Sequence, residues 1–504
     1  MNGEKGQALP LAIMALTIGT LLVAPFLGHA SSSIIGSRTY GQAIDYRNAC
    51  DAGVEHGIWS LLYGGLGSLI PNPGDQIVYQ LPETINGVTT TVTITSNATG
   101  GGGAGSITKT VIDSFDFDGT FCNMPDIIHV SGNIYAIAYQ GPGSDGFLRT
   151  VEIGPDGNIT NSAIDTLEFD TSDCNHPSII HVSGNTYAIA YTGSGNDGWL
   201  KTMTIAANGD ISNSVIDLLE FDPSNGYEPD IVFVSGIYYA IAYRGTGSDG
   251  FLVTVTIAAN GDISNSVIDS YEFDPSNGYE PDIIHVSGIY FAIAYRGPGN
   301  DGWVATVTIA SNGDIGSSVV DTLEFAPSYG ANPYIINTTG NVYAIVYTGP
   351  NSDGFIATMT ISTAGAISNS VISSYEFDPT NGQEPQIIHI AGNIYAIVYD
   401  GPQNDGHLVT LPIETDGTVT GTITDTYEYD TSNGYYPDII IISDGILAIA
   451  YCIPSARGSL ITIGIATSGA ANAYRIVASA GDTSINAFVY TDNTTASIVA
   501  WQVH

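Results

Sequence analysis

Residues 214 to 265 read SVIDLLEFDPSNGYEPDIVFVSGIYYAIAYRGTGSDGFLVTVTIAANGDISN, and the 52 residues from Ser266 repeat this string with few changes. The same unit starts at Thr110, Ser162, Ser214, Ser266, Ser318, Ser370 and Thr422, each 52 residues after the last, with no insertion or deletion. Within it lie four β-rich runs, typified by PDIVFV, IYYAIAY, FLVTVTIA and ISNSVIDLLEF. The segments SG, GTGSDG, ANGD and FDPSNGYE separate them, and their Gly, Asn, Asp and Pro content marks turns. Four short antiparallel strands in a period of about 50 residues define one blade of a β-propeller. The proline before the innermost strand is tolerated because the first residue of a strand can lack a ladder bond.

Closure of the ring decides the blade count. Past the seventh repeat, Ala487-Phe488-Val489-Tyr490 echoes AIVY and SIVAWQV echoes FIATMTI, while SITKTVIDSFDF stands before the first inner strand as a lone outer strand. Donation of that strand to the C-terminal partial unit would remove both open edges. The expected fold is therefore all-β, a propeller over residues 107–504 with eight four-stranded blades, the alternative being seven with a spare hairpin.

Composition fits a large folded body. The chain has 504 residues, 43% hydrophobic and 10% aromatic, enough apolar material for a substantial core. Its formal charge of -40 excludes nucleic acid, whose phosphates need a basic surface. An acidic coat instead favours solubility and attraction of cations. Four cysteines, Cys50, Cys122, Cys174 and Cys452, form no metal-type pair spacing. Cys122 and Cys174 occupy one position in adjacent repeats, so they are a candidate disulfide if their Cα atoms approach within about 7 Å.

The N-terminal region has a different character. Ala8 to Gly28 carry no formal charge, about the length of a membrane-crossing helix, with Lys5 before them and Arg38 the next basic residue. The string Glu4-Lys5-Gly6 before Gln7-Ala8-Leu9 and the apolar run resembles the leader of type IV pilins. The resemblance implies cleavage between Gly6 and Gln7, although the glutamate of major pilins at mature position five is Leu11 here. Apolar residues near helical spacing continue to about Leu62, and Ala49-Cys50-Asp51-Ala52-Gly53-Val54-Glu55-His56 resembles PilX-like minor pilins. Two β-rich runs flank the turn Asn86-Gly87. The expected organisation is a leader (1–6), a transmembrane pilin-like helix (7–62), a small β-hairpin head (63–97), a Gly-rich linker (98–106) and the propeller.

Candidate site residues follow from the repeat. The turn before the third strand gives Asp145, Asp197, Asp249, Asp301, Asp353 and Asp405, with Phe147, Trp199, Phe251, Trp303 and Phe355 two residues on. Such a ring of carboxylates and aromatics suits sugar stacking, whereas Asp-Gly also simply makes a tight bend. Asp222, Asn225, Glu228 and Asp230, with Asp274, Asn277, Glu280 and Asp282 one repeat later, are candidate calcium ligands. His129, His181, His285 and His389 recur in the innermost strand and read as satisfied strand histidines.

These readings favour an adhesin-like surface protein, not an enzyme, since uniform repeats suit multivalent recognition and no unlike acid, base and nucleophile stand together. Its expected partners are the membrane, pilin subunits and a glycan or surface polymer, with calcium the candidate cofactor. Its expected place is the cell membrane with an extracellular body, or a pilus-like filament. The alternatives are a structural subunit of a filament or cell coat, and a propeller-based glycan hydrolase or lyase. That last reading would show one blade-specific cleft with a pKa-perturbed acid.

Overall fold

The computed structural model describes residues 42–70, 75–96, 104–453, 457–467, 472–481, 483–491 and 496–503. Among them, seven four-stranded sheets form a closed ring of blades, and a five-stranded sheet stands beside it. Blade 3 shows the pattern: innermost Tyr227–Ser235, then Tyr238–Arg244, Gly250–Thr256 and outermost Asp269–Asp274, each antiparallel to the next. Two-residue turns with glycine in the left-handed region, such as Gly236 (φ 60°), join the first two strands. The innermost strands of neighbouring blades lie against each other around the axis, the seventh against the first.

The core sits between the blades. In every second strand the Ala-Ile-Ala or Ala-Ile-Val stretch is fully buried. Its alanines face the neighbouring sheet: Ala188 and Ala190 of blade 2 pack with Ile231, Tyr239 and Ile241 of blade 3. Short side chains on one face and long ones on the other let twisted sheets pack closely at native density. A tyrosine that ends this stretch reaches the preceding blade. Tyr243, Tyr295 and Tyr399 donate to Asp222, Asp274 and Asp378, each at 2.9 Å.

Ring closure combines chain ends of different origin. The strand Ile107–Asp118 is the outermost strand of the seventh blade, paired with Arg457–Ile465. Its terminal Asp118 accepts from Tyr139 of blade 1 at 2.8 Å, so the inter-blade tyrosine bond is kept across the closure. A disulfide joins Cys122 of blade 1 to Cys452 of blade 7 with Cα atoms 5.4 Å apart, and Cys174 is a buried free thiol. This corrects the expected Cys122 to Cys174 pairing. Geometry explains the difference, since Cys452 ends a second strand facing the loop of the next blade, while Cys174 belongs to that loop one blade further on.

The expected eighth blade is also corrected to seven. The C-terminal strands Asn472–Ala480, Thr483–Thr491 and Ala496–Val503 extend a sheet begun by Gln76–Gln80 and Thr91–Ser96, with Thr91–Ser96 paired to Asn472–Ala480. Helical residues 42–62 cover this sheet through Ala49, Val54 and Leu61. Gly53 and Gly57 permit the contact, because a Cβ there would stand 2.8 Å from Ala478 and 2.9 Å from Ile476. The helix is thus one layer of a small α/β module built from both sides of the propeller in sequence.

That packing overturns the pilin-like stalk over this stretch. Among the described residues no helix is long and apolar enough to cross a membrane. Gly6, Gln7 and the apolar run lie outside the described residues. The pilin resemblance, the membrane and filament partners, the surface location and the adhesin-like role drawn from it fall with that stalk.

Candidate functional site at the channel mouth

From its second residue each innermost strand carries a residue, a proline and a polar or aromatic residue, and the seven tripeptides line one cavity of about 510 Å³ at the end of the central channel. That volume suits a small molecule. The residue before each proline holds a left-handed backbone: Met124 (φ 49°), His176 (48°), Glu228 (53°), Glu280 (52°), Asn332 (47°), Glu384 (51°) and Tyr436 (50°). Side chains avoid this region, so seven such residues around one opening store strain where a site would be expected. A bulge at each position, as between Tyr227 and Asp230, accompanies the turn.

One layer deeper stand Asp126, Ser178, Asp230, Asp282, Tyr334, Gln386 and Asp438. Their first task is inter-blade bonding. Asp438, Asp126 and Asp230 accept the backbone N–H groups of Ile127 (2.7 Å), Ile179 (2.8 Å) and Ile283 (2.9 Å) on the next inner strand. Asp126 lies against Asp438, and Asp230 against Asp282. Burial first, then the neighbouring carboxyl, pushes Asp126 and Asp282 well up, and burial pushes Asp438 up to about 6. Burial and the neighbouring charge thus favour the protonated form of one carboxyl in each pair.

The mouth itself is where the repeats differ. The residue after the buried tyrosine of the second strand, near the pre-proline residue, is Gln140, Thr192, Arg244, Arg296, Thr348, Asp400 or Cys452 in blades 1 to 7. In blades 3 and 4 an arginine meets a glutamate: Arg244 with Glu228 (3.1 and 2.9 Å) and Arg296 with Glu280 (3.1 and 2.6 Å). The Arg244 guanidinium also lies over Tyr227 and Tyr279, 4.1 and 4.7 Å from their centroids. In blade 6 the glutamate remains as Glu384, and the arginine is replaced by Asp400. Glu384 accepts the Tyr436 backbone N–H at 3.1 Å, and among the described residues no cation pairs with it or with Asp400.

The electrostatic result is specific to blade 6. Burial first, and the Asp400 charge next, push the Glu384 carboxyl up to about 8. Burial and then Asp405 push Asp400 up to about 7. Asp400 is 2% exposed, and its Oδ1 has no hydrogen-bond partner. An unpartnered buried carboxylate oxygen is costly and rare, which sets this position apart from its six counterparts. His176, three blades away around the same cavity, is pushed below its ordinary pKa by burial, so its imidazole is neutral near pH 7.

The sequence-predicted residues divide among several environments. Asp145, Asp197, Asp249 and Asp301 sit on the mouth face at the end of short 3₁₀ turns. They act on Glu168, Glu220, Glu272 and Glu324, whose pKa values are raised by desolvation first and these aspartates next. Asp353 and Asp405 end the equivalent turns of blades 5 and 6. Phe147, Phe251 and Phe355 stack on Tyr139, Tyr243 and Tyr347 at 5.8, 5.8 and 5.6 Å, and Trp199 and Trp303 pack against inter-blade cores, so these rings act in packing. The calcium candidates are scattered. Asp222 caps its own loop through Ser224 and Asn225 and takes the Tyr243 hydroxyl, Glu228 takes Arg244, and Asp230 faces the channel. Asp274, Asn277, Glu280 and Asp282 repeat that dispersal one blade on. Among the described residues no three His, Cys, Asp or Glu side chains are grouped to hold a metal ion. The four strand histidines are exposed, each bonded to its hairpin carbonyl, as His129 to Gly132 at 3.0 Å.

Sequence reasoning missed Asp400, His176 and the isolation of Glu384. Their signal was present: the residue before each proline, and its partner 16 residues on, change from repeat to repeat while the core residues do not. The expectation of no catalysis rested on uniform repeats, and this mouth overturns that premise by gathering an acid pair, an imidazole and two arginines.

No family model matches the chain, and no curated protein does. Among solved structures it is similar to a "putative 6-phosphogluconolactonase" from Bacteroides uniformis, at 10% identity over 77% of this chain and 100% of that one, with a TM-score of 0.47. A protein of unknown function from Dyadobacter fermentans aligns at 9% identity over 71% of this chain and 99% of that one, with a TM-score of 0.41. Likeness at this level concerns the fold alone.

Proposed function

We propose that the chain is a glycan-directed hydrolase or lyase working at the channel mouth, with Glu384 as general acid. The observation that supports this reading is the Glu384 carboxyl, held up to about 8 beside Asp400 while its sister residues Glu228 and Glu280 are neutralised by arginines. A carboxyl that keeps its proton near neutral pH can protonate a leaving oxygen as the carbon–oxygen bond breaks. His176, neutral by burial, is the candidate base, taking a proton from water in hydrolysis or from carbon in elimination. The cavity of about 510 Å³ accommodates one or two sugar rings.

The test is a panel of oligosaccharides and polysaccharides, read by release of reducing ends for hydrolysis and by ultraviolet absorbance of a new double bond for elimination. Glu384→Gln is expected to lower turnover by about 10²–10⁴-fold, the range general acids supply. An unaffected Glu384→Gln protein, or no turnover on any member of the panel, sinks the reading.

A further inference from the structure

Blades 3 and 4 contain, in their own side chains, a worked example of what blade 6 lacks. Arg296 donates to both Glu280 oxygens and to Asn300 Oδ1 at 3.2 Å, with its guanidinium 4.5 Å from the Tyr279 centroid. The corresponding residues of blade 6 are Asp400, Glu384, Asn404 and Gln383, and Tyr435 of blade 7 stands where Tyr279 meets Arg244. All the acceptors of the arginine head group are thus kept, and the head group alone is gone.

An aspartate has taken the arginine's position, which turns a balanced pair into two acids. Asp400 is paired across the two strands with Gln383, the neighbour of Glu384 in the chain, and its charge is felt by Glu384, Tyr435 and Tyr436. Its Oδ1 is buried and without a partner. A buried carboxylate oxygen with that environment is completed by a charged donor more effectively than by a neutral one. Tyr279, the counterpart of Tyr435, offers its ring face to the Arg244 guanidinium, and a retained ring at this place favours a nitrogen cation over a metal ion.

We infer that the blade 6 pocket binds the ammonium or guanidinium group of the ligand at Asp400, so that the substrate class is an amino sugar and not a neutral one. This rests on the proposed glycan-directed activity, with a division of labour between the acids. Asp400 is ionised by the ligand's cation, and its negative charge helps Glu384 to keep its proton.

Calorimetric titration of the full chain with D-glucosamine and with D-glucose tests it, because the two probes differ only in an amino group for a hydroxyl. Glucosamine is expected to bind at least about tenfold more tightly, a difference of about 1.4 kcal/mol. Asp400→Asn should erase that preference. Asp400→Arg, which rebuilds the Arg244 to Glu228 arrangement, should abolish glucosamine binding while keeping the melting temperature at or above that of the parent, which excludes misfolding as the cause. Equal affinities for the two sugars, or a preference that survives both substitutions, overturn the inference. Because the readout is binding, turnover on neutral glycans without a glucosamine preference would remove this inference alone. A preference without turnover on any glycan would remove the catalytic reading alone.

Discussion

Replacing Cys452 by serine isolates one of the two devices that close the ring. The Cys122 to Cys452 bond spans a sequence separation of 330. In the chain-entropy account, a cross-link over n residues removes about 2.1 + 1.5R ln n cal/mol/K from the unfolded ensemble. For this loop that is about 19 cal/mol/K, or about 6 kcal/mol at 25 °C. With an unfolding entropy of about 2.1 cal/mol/K per residue over a propeller of roughly 360 residues, the melting point should fall by about 8 °C. Calorimetry of the parent and of Cys452→Ser under non-reducing conditions measures the shift. A thiol count on denatured protein accompanies it, with two free groups expected in the parent, Cys50 and Cys174, and three in the variant. A shift under about 2 °C would show that pairing of Ile107–Asp118 closes the ring unaided, and four free thiols in the parent would refute the pairing itself.

Two further outcomes concern close packing and buried charge. Gly226 donates its N–H to the Asn196 carbonyl of the preceding blade at 2.8 Å, and a Cβ there would stand 2.3 Å from the Gly198 Cα, so Gly226→Ala should cost about 2–3 kcal/mol in denaturant unfolding. Gly236→Ala, with open space around it and only its positive φ to oppose the change, should cost about 1 kcal/mol, and equal losses at both sites would contradict the packing argument. The channel carboxyls govern stability against pH. Asp438, Asp400 and Glu384 have folded values raised to about 6, 7 and 8, so their contribution is complete below the ordinary carboxylate range and is lost as pH rises through those values. Asp170, lowered to about 2, acts oppositely and is lost only in acid. The melting temperature should therefore peak near pH 5 and decline toward pH 9, with a shallower decline in Asp438→Asn; an unchanged slope in that variant would assign the decline to net charge instead.

The blade strands were legible because their chemistry is local: alternation, Gly-Asp and Asn-Gly turns, and a strict period. The outermost run ISNSVIDLLEF is shorter in the structure, Asp217–Asp222 in its first occurrence, with Ile211 forming only an isolated bridge to Ile205. The blade count was not legible, because Ala487 to Tyr490 has the apolar pattern of a second strand and pattern alone carries no partner. Only the pairing of Thr91–Ser96 with Asn472–Ala480, nearly 400 residues apart in sequence, shows where those strands belong. Similarly, Glu228 and Asp230 read as neighbouring oxygens, yet the bulge after Tyr227 sends one to an arginine at the mouth and the other into the inter-blade belt.

Why divergence gathers at the mouth follows from the same frame. Within a second strand, Ala240, Ile241 and Ala242 are fully buried between sheets, and a change of volume there would be felt by two blades. Arg244, two residues beyond, touches only its own glutamate and two tyrosine faces. The same freedom belongs to the residue before each proline, which is Met124, His176, Glu228, Glu280, Asn332, Glu384 or Tyr436 and lines the cavity, so that it can change with the core untouched. Seven copies of one rigid blade thus supply seven independently variable positions around a single opening. An acid pair, a half-buried imidazole and two guanidiniums can share that opening although the blades that carry them are nearly identical, and it is this freedom, not the uniformity of the repeat, that bears on what the ring can do.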